Sequence, residues 1–179
     1  MSIREILDIY DDNRQVTGKT NIRGEKLDYN ENNLYVFLCI FNSKGKLLIQ
    51  KRSKNKKYYP GIWDLSVGGA ALSKESPYQA IIRETKEELN MDLVLENKKP
   101  FFSINVNNFI CDYFVTNQDI KIENIEINEE IEQIKFVDKQ ELFSMIDSNE
   151  FLPYHKSLIN FIFETHKTPN TRMSDTNII

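Results

Sequence analysis

The sequence has few of the residues that mark fibrous, disulfide-linked or membrane-spanning chains. Only 6 of its 179 residues are glycine and 5 are proline, which excludes collagen-like and low-complexity classes. Its 2 cysteines, Cys39 and Cys111, lie in apolar runs without a CxxC partner or a nearby histidine, so we expect reduced core thiols. No window reaches roughly 18 uncharged apolar residues, and the N-terminus lacks the apolar stretch of a signal peptide. We therefore expect a cytoplasmic protein without a membrane partner.

The chain also lacks a strong excess of one charge. It has 23 Lys and Arg against 27 Asp and Glu, a formal net charge of −4 and a pI of about 5.3. This balance argues against binding to a nucleic-acid duplex, which depends on a basic surface that neutralises phosphates. Nucleotides and small phosphorylated molecules remain open as ligands, because one local basic patch can bind them.

The length predicts a single domain flanked by shorter segments. A domain typically takes roughly 150 residues, which leaves about thirty of the 179 residues outside it. Residues 1–33 are polar and rich in turn residues, and we expect them to cover the domain, with or without one edge hairpin. Residues 34–167 form the predicted domain, and the tail, residues 168–179, is predicted to be disordered.

The hydrophobic pattern predicts an α+β fold with a mixed β-sheet held between helices. Leu34–Phe41 is typical of a strand buried on both faces, and the turn at Asn42–Gly45 predicts that Lys46–Lys51 returns as its partner. Further strands are predicted at Ile62–Val67, Leu93–Leu95, Phe101–Asn105, Phe109–Val115 and Ile134–Val137. Helices are predicted at Ser76–Asn90, from Asp138 to about Ile146, and at Pro153–Phe163.

The first of these helices has the clearest boundary signals. Ser76 is a typical N-cap with Gln79 three residues later, and Pro77 suits the first helical position. Asn90 suits the left-handed conformation that ends many helices. The apolar stripe of this helix consists of Ile81, Ile82, Thr85 and Leu89.

Three glutamates on the same helix, Glu84, Glu87 and Glu88, are the first candidates for chemistry. Helical spacing predicts them on the face opposite the apolar stripe. Glu84 and Glu88 form a like-charge i,i+4 pair in the C-terminal half of the helix, where the helix dipole disfavours anions. A hard divalent cation, Mg²⁺ or Mn²⁺, would offset this repulsion. The alternative is a solvated acidic face on which Arg83 pairs with Glu87.

These glutamates belong to a longer motif. The sequence resembles the Nudix box, G-x5-E-x7-R-E-U-x-E-E-x-G-U, in which U is a bulky aliphatic residue. The box positions match in register at Gly69, Glu75, Arg83, Glu84, Glu87 and Glu88. Chance agreement is of order 10⁻⁷ per start point at ordinary residue frequencies. Thr85 replaces an aliphatic residue and Asn90 replaces the glycine after the helix, and neither position is a metal ligand.

The resemblance to Nudix domains extends from Leu34 to Phe163 and implies an α/β/α sandwich with a mixed β-sheet between helices. It includes Leu47–Arg52, Tyr59–Asp64 and Ile134–Val137. The first thirty residues, with Gly18-Lys19 and Arg23-Gly24, look like a Nudix subgroup related in sequence to isopentenyl-diphosphate isomerase.

The resemblance also implies a metal-dependent reaction. The implied metal ligands are the carboxylates of Glu84, Glu87 and Glu88 and the carbonyl of Gly69. Mg²⁺ is the implied cofactor, and Mn²⁺ is an alternative ion. Glu75 and Arg83 would form a buried ion pair that fixes the loop to the helix. The implied reaction is attack of a metal-bound water on a small-molecule diphosphate, such as a nucleoside diphosphate derivative.

The general base is assigned to Glu87 within the box. In many Nudix enzymes the base instead comes from a later loop, and here Glu126, Glu129 or Glu130 would supply it. These three residues lie in an acidic stretch, Ile122–Glu132, whose alternative interpretation is a solvated loop.

A basic segment, Lys51–Tyr59, precedes the box and is the candidate substrate-binding region. Lys51 and Arg52 would bind a phosphate, and Tyr58 or Tyr59 would stack on a base. Arg52 is the favoured phosphate ligand because it closes a strand. For any single lysine of this segment, a solvated loop is the alternative interpretation.

Two other functions are weighed against hydrolysis. Isopentenyl-diphosphate isomerase needs a Cys and a His before the box, and the aligned positions here are Gly68 and Ala70. The histidines of this chain, His155 and His166, lie in or beyond the C-terminal helix. The second alternative is a Nudix-fold domain that senses nucleotides without turnover. The sequence also leaves open whether the protein is a monomer or a homodimer.

Overall fold

The computed structural model describes residues 4–167, which form two β-sheets and three α-helices. The strands are β1 (Ile6–Tyr10), β2 (Val16–Ile22), β3 (Asn33–Phe41), β4 (Leu47–Arg52), β5 (Trp63–Asp64), β6 (Val67–Ala70), β7 (Phe102–Val106), β8 (Phe109–Asn117) and β9 (Ile131–Val137). The helices are α1 (Pro77–Leu89), α2 (Lys139–Asp147) and α3 (Lys156–Thr165). A 3₁₀ turn spans Ile122–Asn124. The sequence prediction of a disordered tail at residues 168–179 lies outside the described residues.

Strand β3 is the centre of a seven-stranded mixed sheet. It runs parallel to β8 from Asn33↔Phe109 to Phe41↔Asn117 and antiparallel to β6. The continuous path of the sheet is β5-β4-β3-β8-β7, with β6 paired to β3 and β9 paired to β4. This arrangement explains the unbroken apolar sequence of β3, because a central strand of a mixed sheet is covered on both faces.

Helices cover both faces of this sheet. Val36 and Leu38 of β3 pack in one apolar cluster with Ile81 of α1. Cys39 and Phe41, which point to the other face, pack with Leu142 of α2 and Ile159 of α3, among others. The predicted α/β/α sandwich is therefore confirmed.

Several predicted strands are paired or divided differently from the sequence prediction. Strand β4 contacts β3 only at Phe41↔Leu47 and instead pairs with β9 along its length, because β6 occupies the edge of β3. The strand predicted at Ile62–Val67 is divided into β5 and β6. The segment Leu93–Leu95 is not a strand, although Leu93 and Leu95 are buried.

Helix α3 begins at Lys156 and not at Pro153 as predicted. The backbone N–H of Leu152 donates to the carbonyl of Trp63 at 2.8 Å, and Phe151 forms a parallel bridge with Trp63. This pairing keeps the chain extended up to the start of the helix.

The N-terminal segment contains one hairpin, which the sequence analysis left open. Strands β1 and β2 pair from Ile6↔Ile22 to Tyr10↔Val16. Tyr10 exchanges backbone hydrogen bonds of 2.8 and 2.9 Å with Asn32, which precedes β3. Arg14, in the hairpin turn, forms a salt bridge with the fully buried Asp112 of β8. The turn end of the hairpin is therefore fixed to the main sheet. Within residues 4–167, none of the helices has the length and apolar character needed to cross a membrane.

Candidate metal and diphosphate site

Helix α1, which carries the box glutamates, begins and ends where its sequence signals predict. Ser76 is the N-cap and forms the capping box with Gln79, and Pro77 is the first helical residue. Asn90 adopts the left-handed conformation, with φ 49°, at the C-terminal end. These local contacts fix where the helix begins and ends.

Two of the three glutamates face the sheet, which corrects the prediction of a common outer face. Glu84 and Glu88 are buried, 9% and 4% exposed, on the same side of α1 as Ile81. The Glu87 side chain is 55% exposed. The facing strand has glycine at positions 68 and 69, and a Cβ atom at Gly69 would overlap the Glu84 carboxylate. The missing side chain at Gly69 thus makes room for the Glu84 carboxylate between the helix and the sheet.

Glu88 is held by neutral donors. Its Oε2 accepts a hydrogen bond from Gln50 Nε2 at 2.9 Å and a longer one from the Gly68 N–H at 3.4 Å. Burial raises the pKa of Glu88 to about 8, and the negative charge of Glu84 adds to this increase. A buried carboxylate beside a like charge favours binding of either a proton or a cation.

Arg83 joins the helix to the preceding loop. Its Nε and Nη2 donate to the two oxygens of Glu75 at 2.8 and 2.9 Å, and Nη2 also donates to the carbonyl of Ala70 at 2.9 Å. Although burial alone would raise the pKa of Glu75, the hydrogen bonds from Arg83 lower it. Both side chains are about one-fifth exposed, so the ion pair that the resemblance implied is formed but is only partly buried.

The same guanidinium also holds two of the candidate metal ligands. Arg83 Nη1 lies 2.9 Å from Glu84 Oε1 and 3.0 Å from Glu87 Oε2. Burial raises the pKa of Glu84, whereas the positive charge of Arg83 opposes this increase. Glu84 and Glu87 therefore converge on one positively charged group.

The donor set fits a hard divalent ion in its chemistry. All the candidate side-chain ligands are carboxylates, and two of them, Glu84 and Glu88, are buried side by side without a full complement of positive charge. Within residues 4–167, however, no three Asp, Glu, His or Cys side chains converge on one point. In this arrangement the Arg83 guanidinium contacts Glu84 and Glu87, while Glu88 contacts Gln50.

The predicted substrate-binding residues are separated in the structure. Arg52 donates to the carbonyl of Tyr58 at 3.1 and 3.2 Å and lies 3.5 Å from Asp64. Lys51 lies 3.3 Å from Glu132, and the Tyr59 side chain is exposed. Arg52 and Lys51 thus already have protein partners.

Lys56, which the sequence analysis did not select, carries a positive charge that lowers the pKa of Glu88. It also forms an ion pair with Glu130. In the sequence, Lys56 is one of several lysines in the basic segment. The path of the loop determines which of these lysines acts on Glu88.

The later-loop glutamates lie near the C-terminal end of α1. Glu126 accepts a hydrogen bond of 2.8 Å from the Asn90 side chain, and Glu130 binds Lys56. Glu129 is exposed. Glu126 thus contacts a residue of the box directly, whereas Glu130 is connected to Glu88 through the positive charge of Lys56.

Asp64 is a further buried acid, and the sequence analysis did not assign it to the site. It accepts a hydrogen bond from Tyr154 Oη at 3.0 Å and another from the Leu65 N–H at 2.8 Å, and it faces Arg52. Burial raises the pKa of Asp64. An Asp that follows a Trp in a short strand carries no sequence signal for this contact.

Comparison with known proteins agrees with these observations. The model of the NUDIX domain matches residues 31–158. An uncharacterised Nudix hydrolase of Listeria innocua is 43% identical over 158 residues, covering 88% of this chain and 92% of the relative. The crystal structure of DR0079 from Deinococcus radiodurans superimposes with a TM-score of 0.71 at 25% identity, covering 90% of this chain and 99% of that chain.

Two further similarities are more limited. An isopentenyl-diphosphate Delta-isomerase of Citrobacter koseri is 43% identical over 58 residues, which is 32% of each chain. The NUDIX domain of Shewanella oneidensis NrtR, solved with ADP ribose, has a TM-score of 0.57 at 14% identity, covering 78% of this chain and 89% of that chain. The domain match and the Listeria relative are long enough to assign the family. The chain belongs to the Nudix family and is a hydrolase that acts on pyrophosphate bonds.

Proposed function

We propose that the protein is a Mg²⁺-dependent hydrolase that cleaves the diphosphate linkage of a nucleoside diphosphate derivative or a related organic pyrophosphate. The observation that supports this most is the burial of Glu84 and Glu88 side by side against Gly68 and Gly69. Two buried carboxylates repel each other, and a cation between them and an anionic substrate removes that repulsion.

Glu84, Glu87 and Glu88 are the proposed metal ligands, together with the Gly69 carbonyl. Mg²⁺ is the proposed ion, and Mn²⁺ has the same preference for oxygen ligands. When bound, the ion would lower the pKa of water and neutralise charge that develops on the diphosphate oxygens. Arg83 and Glu75 contribute by holding the loop and the helix together, so that the carboxylates stay in position.

Glu87 is the proposed general base. Its carboxylate is the exposed member of the three, so it can exchange protons with solvent, and its contact with Arg83 orients it. Glu130 is the alternative base from the later loop, because it reaches the site through Lys56.

The basic segment Lys51–Tyr59 is proposed to bind the substrate. Arg52 is oriented by Tyr58 and Asp64, and Lys56 lies near Glu88. A cation held by the carboxylates, together with these positive charges, would favour binding of a phosphate between them. Lys51 and Tyr59 are proposed to contribute at the edge of this region.

The test is a screen of diphosphates against the full chain. Nucleoside triphosphates, sugar nucleotides, dinucleotides, coenzyme-linked diphosphates and ADP-ribose are incubated with Mg²⁺ or Mn²⁺, and the hydrolysis products are separated and quantified by ion-exchange chromatography. We expect cation-dependent turnover of at least one class. Tight nucleotide binding without turnover of any diphosphate would instead identify a nucleotide sensor.

The Glu88→Gln variant tests the assignment of the site. This change keeps the shape of the side chain and the contact with Gln50 but removes the charge, so we expect turnover to fall by about 10³-fold or more. Lys44→Gln, an exposed change in the β3–β4 turn, is the control and should retain wild-type activity. Unchanged turnover in a folded Glu88→Gln protein would contradict the proposed metal site.

A further inference from the structure

The N-terminal hairpin precedes the matched NUDIX domain, yet it is bound to the loop of the box. The Ser73 N–H donates to the carbonyl of Ile6 at 2.8 Å. The Ser73 hydroxyl and the Lys74 N–H donate to the two carboxylate oxygens of Asp8 at 2.7 and 2.8 Å. Ser73 and Lys74 lie between Gly69 and Glu75, so the hairpin contacts the loop that positions the candidate site.

The open end of the hairpin carries an arginine. The Arg23 N–H donates to the Glu5 carbonyl at 3.0 Å, and Arg23 Nη1 lies 2.7 Å from Glu5 Oε2. The guanidinium carbon lies 5.7 Å from the centre of the Tyr35 ring. The Arg23 side chain is still 42% exposed, so a solute can reach it.

Tyr35 connects this arginine to the box. Tyr35 lies opposite Ala70 in the β3–β6 pairing, and the neighbouring Gly69 lies against the Glu84 carboxylate. Arg23 is one of the positive charges that act on Glu84, together with Arg83. The hairpin thus brings a positive charge to the edge of the candidate metal site.

The hairpin end also meets the basic segment. A Cβ atom at Gly24 would lie 3.9 Å from the Tyr58 hydroxyl. In the same segment Lys56 acts on Glu88. The positive charges of Arg23 and Lys56, which come from separate parts of the chain, therefore act on the two buried carboxylates.

The remaining donors of Arg23 are available for a ligand. Within residues 4–167, Nε and Nη2 of Arg23 make no hydrogen bond, whereas Arg52 and Arg83 use these groups to bind protein oxygens. Two neighbouring guanidinium N–H groups match the spacing of phosphate oxygens. Contact of the guanidinium with the Tyr35 ring further restricts its orientation.

We propose that Arg23 binds a phosphoryl oxygen of the diphosphate substrate, so that the N-terminal hairpin forms one wall of the substrate site. This inference rests on the proposed hydrolase function. It assigns recognition of the diphosphate group to the hairpin, a segment that lies before the matched domain.

The test compares Arg23→Gln, Glu5→Gln and Lys44→Gln in the full chain. Binding of methylenediphosphonate, a diphosphate that cannot be hydrolysed, is measured by calorimetry in the presence of Mg²⁺. We expect Arg23→Gln to weaken binding about tenfold, because one charge-assisted hydrogen-bond pair is lost. With the substrate found in the screen, KM should rise by a similar factor and kcat should change less.

The two other variants separate substrate binding from a structural role. Glu5→Gln breaks the same ion pair but keeps the guanidinium, and Lys44→Gln removes one distant positive charge. Both should bind within about twofold of wild type. Arg23→Lys, which keeps the charge, should recover part of the affinity and replaces Arg23→Gln if that variant does not fold.

Three results would overturn the inference. Wild-type affinity in folded Arg23→Gln shows that Arg23 does not bind the diphosphate. Equal losses in Arg23→Gln and Glu5→Gln assign Arg23 a structural role in the ion pair. Both of these results are compatible with the proposed hydrolase function of the wild-type protein. A wild-type protein that neither binds nor hydrolyses any diphosphate would overturn the proposed function as well.

Discussion

Two buried carboxylates in this protein have opposite kinds of partner. Asp112 is fully buried and accepts two hydrogen bonds, of 2.9 and 2.7 Å, from Arg14. Glu88 is buried almost as deeply, but its direct donors are the uncharged Gln50 amide and the Gly68 N–H. One acid has a cation of its own, and the other has only neutral donors.

We interpret this difference as that between a structural anchor and the proposed metal site. The Asp112–Arg14 pair attaches the hairpin to the sheet and needs no further cation. Glu88 lies beside Glu84, a second buried carboxylate, so its protonated form is favoured up to about pH 8 when no cation is bound. A buried acid whose direct hydrogen-bond donors are neutral is a candidate ligand for an external ion.

The largest expected effect on stability comes from Arg14→Gln, which removes the positive partner of the buried Asp112. Arg14→Gln leaves the Asp112 charge buried without its partner and should lower the free energy of unfolding by about 2–4 kcal/mol. Urea denaturation measures this change. Lys19→Gln, which breaks the ion pair between Lys19 of the same hairpin and Glu31, is the control and should cost much less, because this pair is exposed. Equal losses in the two variants would mean that Asp112 needs no cation.

Glu88→Gln, which removes the charge of the acid in the proposed site, should raise stability, whereas Arg14→Gln should lower it. The pKa of Glu88 is raised to about 8 from the ordinary value of 4.5, so the folded protein holds this proton more tightly than the unfolded chain. The associated stability is complete below about pH 4.5 and is lost as the pH rises through about 8. Metal-free Glu88→Gln should therefore be more stable than metal-free wild type at pH 8.5, by about 1–3 kcal/mol.

Thermal unfolding in the presence of a chelator, at pH 5 and pH 8.5, measures this difference. The gain should be small at pH 5 and large at pH 8.5. Asp112→Asn, which neutralises the anchor acid, should lower stability at both pH values. If Glu88→Gln were less stable than wild type at pH 8.5, neutralising either acid would destabilise the protein. This result would contradict the proposed difference between Glu88 and Asp112.

The smallest expected effect on stability is that of Glu87→Gln. This side chain is 55% exposed, so loss of its contact with Arg83 should change stability by less than about 0.5 kcal/mol. Turnover should nevertheless fall about 10²-fold or more if Glu87 is the base. Denaturation and steady-state kinetics on the same preparation separate the two effects. If turnover is retained, the base is elsewhere, and Glu130→Gln is the variant to compare.

Local signals were sufficient to predict the helix of the box. Ser76, Gln79 and Pro77 fix its start and Asn90 fixes its end through contacts within a few residues, and the structure reproduces them. The motif spacing likewise identified the family without any tertiary information. Contacts that are local in sequence can be predicted from it.

Non-local contacts could not be predicted in the same way. The turn after Phe41 predicts a hairpin, but β6 competes for the edge of β3, and β4 pairs with a strand more than eighty residues later. The inward position of Glu84 depends on the missing side chain at Gly69 of the facing strand, which helical periodicity does not report. The position of Lys56 depends on the path of a loop.

Binding of Mn²⁺ to the metal-free protein, followed by electron paramagnetic resonance, tests most directly whether Glu88 serves as a metal ligand. Wild type and Asp112→Asn should bind the ion with the same affinity, because the anchor lies outside the site. Glu88→Gln should bind it at least about tenfold more weakly, since one charged ligand is lost. Equal affinity of folded Glu88→Gln and wild type would contradict the assignment of the buried glutamates to a metal site.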